Sequence, residues 1–157
     1  STGVVAFMCR HDLVPPKSVV NLQRGEKFIN VDLALKGAME TCKCVERIVC
    51  AYDVSCQYEV NLVQRMKKEF PELDVTLIEF LIGKMHCVCH VEKCQWCYNF
   101  HFRNNVGRMD GEACERLWSE MNQAAGSTKQ MSPGHRDETL DDIFGFWNRV
   151  KLYKMGE

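Results

Sequence analysis

Proline is scarce, four residues in 157, and two of them stand together as Pro15-Pro16, so the chain is no extended Pro-rich linker. No apolar run approaches the roughly 18 residues that would suggest a membrane span, and no basic segment followed by an apolar stretch opens the chain. A secreted or membrane protein is therefore not expected. Charge of one sign is not in excess either: 20 Lys and Arg oppose 21 Asp and Glu, a net charge of −1 with a pI near 6.5. That balance lacks the electrostatic footprint of a bulk nucleic-acid coat, and any DNA contact must be local. Internal repeats and low-complexity tracts are missing too. The first residue is Ser1 rather than Met, from which we expect a piece of something longer.

What is present is an ordinary globular composition, 46% hydrophobic and 26% charged, in a length suited to one domain. Cysteine is the outlier, with ten residues. They fall as Cys42-x-Cys44, Cys87-x-Cys89 and Cys94-x-x-Cys97, with Cys9, Cys50, Cys56 and Cys114 alone and His86, His90 and His101 near the middle group. Without a signal peptide, thiols in a reducing compartment are the default over a disulfide framework.

The opening STGVVAFMC reads as a buried strand, and the segment carrying Pro15-Pro16 and Gly25 as a loop. Residues 29–41 fit one helix face. ERIVCAYD is strand-length and ends in an acid, and residues 54–69 follow with helical spacing until Pro71. Residues 77–81 fit the end of another short helix, and MHCVCH is ambiguous between strand and helix. A confident helix follows Asp110, a good N-cap. GSTKQMSPG is turn-like, and from His135 an amphipathic helix is expected, interrupted at Gly145. The fold class is α/β, a short mixed sheet with flanking helices and a helix-rich C-terminal half.

Asp53 stands where a strand meets a helix, the edge at which open α/β sheets gather their ligands. Periodicity alone favours a plain N-cap bonding Ser55 or Cys56. Glu112, with Asp110 and Glu115, lies where a helix dipole favours negative charge, so those acids also have a bland reading. His86, Cys87, Cys89, His90, Cys94 and Cys97 place six soft or borderline ligands in twelve positions, and a tetrahedral zinc site takes four. The spacing is not a standard zinc pattern, because a second CxxC is missing. Cys56, at a helix N-terminus where thiol pKa falls, is the best nucleophile for a Cys-His pair. The aromatics of NFHF and IFGFW can stack bases, though at helical spacing core packing is the ordinary meaning.

Several motifs in fixed order resemble the KDZ transposases, the Kyakuja, Dileera and Zisupton families. STGVVAFMCRH resembles a strand ending in C-A-R-H, NLQRGEKFINVDLAL resembles D-L-Q-K-G-E-R-Y-x-N-M-D-Y-A-L, and AYDVSCQYEVN resembles S-Y-D-I-A-C-Q-W. GKMHCVCHVEKCQWCYNFHFRNNVGRMDGEACERLWSEMN resembles P-K-F-H-L-x-A-H-x-x-x-C-Q-x-x-Y-S-F-N-F-x-x-G-V-G-R-T-D-G-E-x-x-E-R-x-W-A-x-x-N. The tail GSTKQMSPGHRDETLDDIFGFWN resembles S-T-R-E-M-G-P-G-x-R-x-D-T-L-D-D-H-F-G-D-W-N, with Ile143 and Phe146 where the family has His and Asp.

The resemblance implies a DDE-type, RNase H-like catalytic domain of a nuclear transposase acting on DNA at transposon ends with Mg²⁺ or Mn²⁺. Asp53 and Glu112 fall on the family's second Asp and its Glu and become the expected catalytic metal ligands. His86, His90 and Cys94 match family H, H and C positions, implying a structural or metal-supporting role. The family's first Asp precedes the point where this chain begins, so an isolated chain is expected to be inactive. One partial RNase H-like domain over residues 1–157 is expected, with a strand and helix core at 1–84, a Cys/His-rich insertion at 85–109 and C-terminal helices at 110–157. The alternative reading is a cysteine-rich, zinc-binding interaction module without catalysis, holding one zinc through Cys87, Cys89, Cys94 and Cys97 or a nearby His.

Overall fold

The computed structural model describes residues 3–42 and 45–156. In chain order these form strands β1 (Gly3–Ala6) and β2 (Val19–Leu22), helix α1 (Phe28–Thr41), β3 (Ile48–Ala51), and helices α2 (Ser55–Tyr58) and α3 (Leu62–Glu69). Strand β4 (Ile78–Leu81), α4 (Lys84–Cys87), α5 (Glu92–Cys97), α6 (Ala113–Met121), α7 (Ala125–Thr128) and α8 (Pro133–Lys154) complete the mixed α/β fold. The chain divides into two compact units, Ser1–Thr41 with Ala113–Glu157, and Cys42–Glu112. Cys44 lies outside the described residues, and the nine described cysteines are free thiols. Among the described residues no helix is long and apolar enough to cross a membrane.

In the first unit β1 pairs antiparallel with β2, Gly3 opposite Leu22 and Ala6 opposite Val19. Residues 19–22, expected within a loop, are a strand because VVNL supplies the β-branched partner that β1 needs to satisfy its backbone groups. Helix α8 opens on Pro133, whose missing N–H costs nothing in a first turn, and runs unbroken through Gly145. The expected interruption there does not occur: a lone glycine weakens a helix by only about 1 kcal/mol. Leu140 and Phe144 pack with Ala6, Val14, Leu117 and Met121 in an apolar cluster. Phe146, by contrast, is 62% exposed.

Asp12 ties this unit together. At φ 60° it adopts the left-handed conformation that Asp tolerates better than most residues. Its Oδ1 accepts a bond from Arg116 at 3.0 Å and its Oδ2 one from Lys151 at 2.9 Å, while its backbone carbonyl accepts the Trp147 indole N–H at 2.6 Å. Two residues on, the Asn148 amide both accepts from Val14 N–H at 2.8 Å and donates to Val14 C=O at 2.9 Å. Burial works to raise the Asp12 pKa, but the bonds and charges of Arg116 and Lys151 outweigh it and hold the carboxyl below its ordinary 3.8.

In the second unit β3 pairs parallel with β4, from Ile48 opposite Ile78 to Ala51 opposite Leu81. Residues 77–81 were expected to close a helix, yet 78–81 are a strand. Four residues, Glu79 among them, are too few for period to tell a strand from the end of a helix. The ambiguous MHCVCH resolves into one helical turn, α4, starting after Gly83. Residues 54–69 are helical in two pieces, α2 and α3, joined by a 3₁₀ turn at Glu59–Asn61. Buried Tyr58 fills the angle, edge-on to Tyr52 at 5.3 Å and to Phe80 at 5.4 Å. Of residues 126–134, expected as turn, 126–128 belong to the single helical turn α7 and 133–134 open α8.

The Asp12 hub gives a pH-dependent prediction. Because folding lowers its pKa, its stabilisation is present above the ordinary carboxylate value and is lost as pH falls below about 4. The Asp12→Asn variant should unfold at lower urea concentration at pH 7 and show a flatter loss of stability between about pH 5 and pH 3 than the wild type. Equal urea midpoints at pH 7 would count against the hub.

Candidate metal centre

The second unit brings Asp53 and Glu112 onto one imidazole. His86 Nδ1 lies 3.4 Å from Asp53 Oδ1 and 3.3 Å from Glu112 Oε2. Asp53 follows β3, and His86 sits on α4, just after β4, so the parallel pairing sets both at the same sheet edge. This is the edge where ligands collect in open α/β sheets. The N-cap reading of Asp53 does not hold: Val54 occupies that position with no side-chain cap bond, and Ser55 N–H goes to Tyr52 C=O at 3.0 Å.

Glu112 is held more tightly than Asp53. Its side chain is 7% exposed against 52% for Asp53, which makes the centre closed on one side and open to solvent on the other. It immediately precedes α6 rather than lying in that helix's first turn. Glu112 Oε1 accepts the Met85 N–H at 2.8 Å. Asp110, expected as a helix cap, instead accepts the Glu112 N–H through Oδ1 at 3.0 Å and the Lys84 N–H through its carbonyl at 2.9 Å. One residue thereby fixes both α4 and Glu112. Glu115 is exposed on α6.

Two glycines make the seat. A Cβ on Gly83 would stand 2.5 Å from Glu112 Oε1, closer than any real contact, so the carboxylate occupies the space a side chain would take. Gly111, at φ 77°, turns the chain into Glu112 where a Cβ would meet the Phe100 ring at 2.7 Å. A buried carboxylate and an exposed carboxylate thus flank one imidazole nitrogen, and these are donor types that divalent cations take.

The expected six-ligand Cys/His cluster is divided. His86 faces the carboxylates, and Cys87 is fully buried. Cys89 and Cys97 are exposed, while His90 and Cys94 meet Cys56, a residue the zinc reading left out. The chain breaks between α4 and α5, so His86, His90 and Cys94 share no single helix face. Cys56 Sγ lies 3.7 Å from His90 Nδ1. Burial, then the neighbouring Cys94, pushes the Cys56 thiol up, the reverse of the lowered value expected of a nucleophile at a helix start. A one-turn helix has too little dipole to counter desolvation.

The aromatics divide as well. Phe100 belongs to the core with Leu81 and Val106, whereas Phe102 is 54% and Trp96 60% exposed, their rings stacked at 4.7 Å. A separate depression of about 480 Å³ includes Glu59, Glu79, Tyr98 and Arg103 but neither Asp53 nor Glu112. Its acids are engaged, Glu79 by Arg47 and Arg103 and Glu59 by the Tyr98 hydroxyl.

Glycine at position 83 is the sharpest handle on this centre. Gly83→Ala should displace Glu112 and weaken Mn²⁺ binding by about 10- to 100-fold, the usual cost of disturbing groups that orient a ligand, as read by Mn²⁺ titration followed by electron paramagnetic resonance. Wild-type affinity in that variant would show that Glu112 is not seated by the glycine.

The family model described as Kyakuja-Dileera-Zisupton transposase matches residues 1–148. No curated protein and no solved structure matches.

Proposed function

This chain belongs to the Kyakuja-Dileera-Zisupton transposase family, and from that premise we propose that Asp53 and Glu112 are metal ligands of a DDE-type catalytic centre for DNA strand cleavage and transfer, in an RNase H-like domain. The observation that carries this is the convergence of two carboxylates, far apart in sequence, on His86 Nδ1. Both sit at the positions that the family motifs assign to acidic ligands.

The residues present fit Mg²⁺ or Mn²⁺, hard cations that take carboxylate oxygens. A divalent ion there supplies activation of water or a DNA 3′-hydroxyl and stabilisation of the leaving oxygen. The chain's own contribution is positional. Glu112 is held by the Met85 N–H and the glycine seat, so its geometry is fixed before any ion arrives. Asp53, exposed to solvent, is the ligand that substrate can approach. His86 Nδ1 stands between the two carboxylates, 3.4 Å from one and 3.3 Å from the other.

DNA at transposon ends is the substrate in this reading, and the nucleus its place of work. The near-neutral charge provides little sequence-independent attraction to phosphates. Local contacts must supply it, and the exposed Trp96–Phe102 pair offers faces on which unpaired bases stack.

Metal occupancy tests the reading directly. Asp53→Asn and Glu112→Gln should each lower Mn²⁺ affinity by at least about tenfold while circular dichroism stays at the wild-type spectrum. Unchanged Mn²⁺ binding in both folded variants would remove the proposed centre.

A further inference from the structure

We propose that Cys56, His90 and Cys94 form a structural zinc site, separate from the carboxylate centre and built from a different set of cysteines than chain spacing indicates. One ligand atom from each of the three residues lies within 4.8 Å of the other two. Zn–S bonds of about 2.3 Å and Zn–N bonds of about 2.0–2.1 Å place neighbouring sulfur and nitrogen vertices of a tetrahedron about 3.6 Å apart. The observed separation of Cys56 Sγ and His90 Nδ1 is 3.7 Å. Cys56 hydrogen-bonds both neighbours, His90 Nδ1 and the Cys94 thiol, so the three donors are already gathered on one point that a zinc ion can take.

The surroundings hold the three donors in place. Cys56 lies on α2 and Cys94 on α5. His90 lies in the turn between α4 and α5, pinned by Gln95, whose Nε2 donates to Val88 C=O at 3.2 Å and to His90 C=O at 2.7 Å. All three are half-buried, accessible to an ion yet shielded from bulk water. Two thiolates and an imidazole suit zinc, and a Cys₂His set leaves one tetrahedral position for a further donor. The site would bind the segment that carries Asp53 to the one that follows His86. Cys56 stands three positions after Asp53, and His90 four positions after His86.

The proposal does not depend on the catalytic reading, and its test keeps the two apart. The full chain, purified without added chelator, should carry about one zinc per molecule by elemental mass spectrometry, and Asp53→Asn should retain it. Cys56→Ser and Cys94→Ser should each reduce zinc to below about a tenth of that level, whereas Cys89→Ser and Cys97→Ser should keep it. A measurement on the unaltered protein guards against variants that fail to fold. Alkylation followed by mass spectrometry should modify Cys89 and Cys97 at once and reach Cys56 and Cys94 only after chelation. Wild-type protein without stoichiometric zinc overturns the proposal, as does zinc content that follows Cys89 and Cys97 instead of Cys56, or alkylation of Cys56 that ignores the chelator.

Discussion

The carbonyl oxygen of Leu81 is the point on which the carboxylate centre depends. It ends β4 and accepts two bonds, the Tyr52 N–H at 3.0 Å and the Ser55 hydroxyl at 2.8 Å. Tyr52 and Ser55 bracket Asp53, so that one acceptor clamps the loop carrying the acid against the end of the neighbouring strand. Ser55 is fully buried, and its hydroxyl also reaches the Tyr52 carbonyl at 2.8 Å. Each such bond contributes on the order of 1 kcal/mol, but a buried carbonyl left unsatisfied costs up to about 3 kcal/mol. The geometry is therefore much stiffer than the exposure of Asp53 suggests.

From the same point the chain runs through Ile82 and Gly83 into α4. Ile82 is fully buried, and its N–H bonds the Tyr98 carbonyl at 2.9 Å. The end of α5 thereby lies beside the end of β4. Gly83 gives up a side chain so that Glu112 can enter, and Asp110 secures the first N–H of α4. Backbone hydrogen bonds, more than side-chain packing, fix where Asp53, His86 and Glu112 stand. Such bonds are directional and short, which suits a site whose ligands must be held to fractions of an ångström.

The sequence made the longer elements legible. Helices α1 and α6 and strand β3 stand where period puts them, because each presents an apolar face or run long enough to be distinctive. What escaped was short or buried. Residues 19–22 lay beyond a Pro-Pro pair that reads as loop, and 78–81 are too few for their period to separate strand from helix. Asp53 shows the same limit at the candidate site. Its capping and ligand readings predict the same residue at the same place. Spacing made Asp110 the expected cap and left Glu112 and Glu115 on one side, and only motif resemblance chose between those two. Cys56 could not be paired with His90 and Cys94 from spacing, since the helix break at 88–91 and the approach of α2 to α5 are tertiary facts.

In the two sites proposed above, one short segment supplies two kinds of donor set, and chemical hardness accounts for the division. His86 and His90 are four residues apart, yet the first faces oxygen ligands and the second faces sulfur. An unbroken helix would have put both imidazoles on one face. The chain avoids this by ending α4 at Cys87 and resuming at Glu92, which turns the second imidazole away from the carboxylates. Asp53 and Cys56 divide in the same manner across the start of α2. Borderline imidazole is the one donor type shared by both sets, so discrimination falls to its companions: carboxylates select hard cations, while thiolates select soft ones. Mixing the sets would place thiolates beside carboxylates, adding like-charge repulsion and admitting the wrong ion. The helix break at 88–91 is the structural device that keeps them apart.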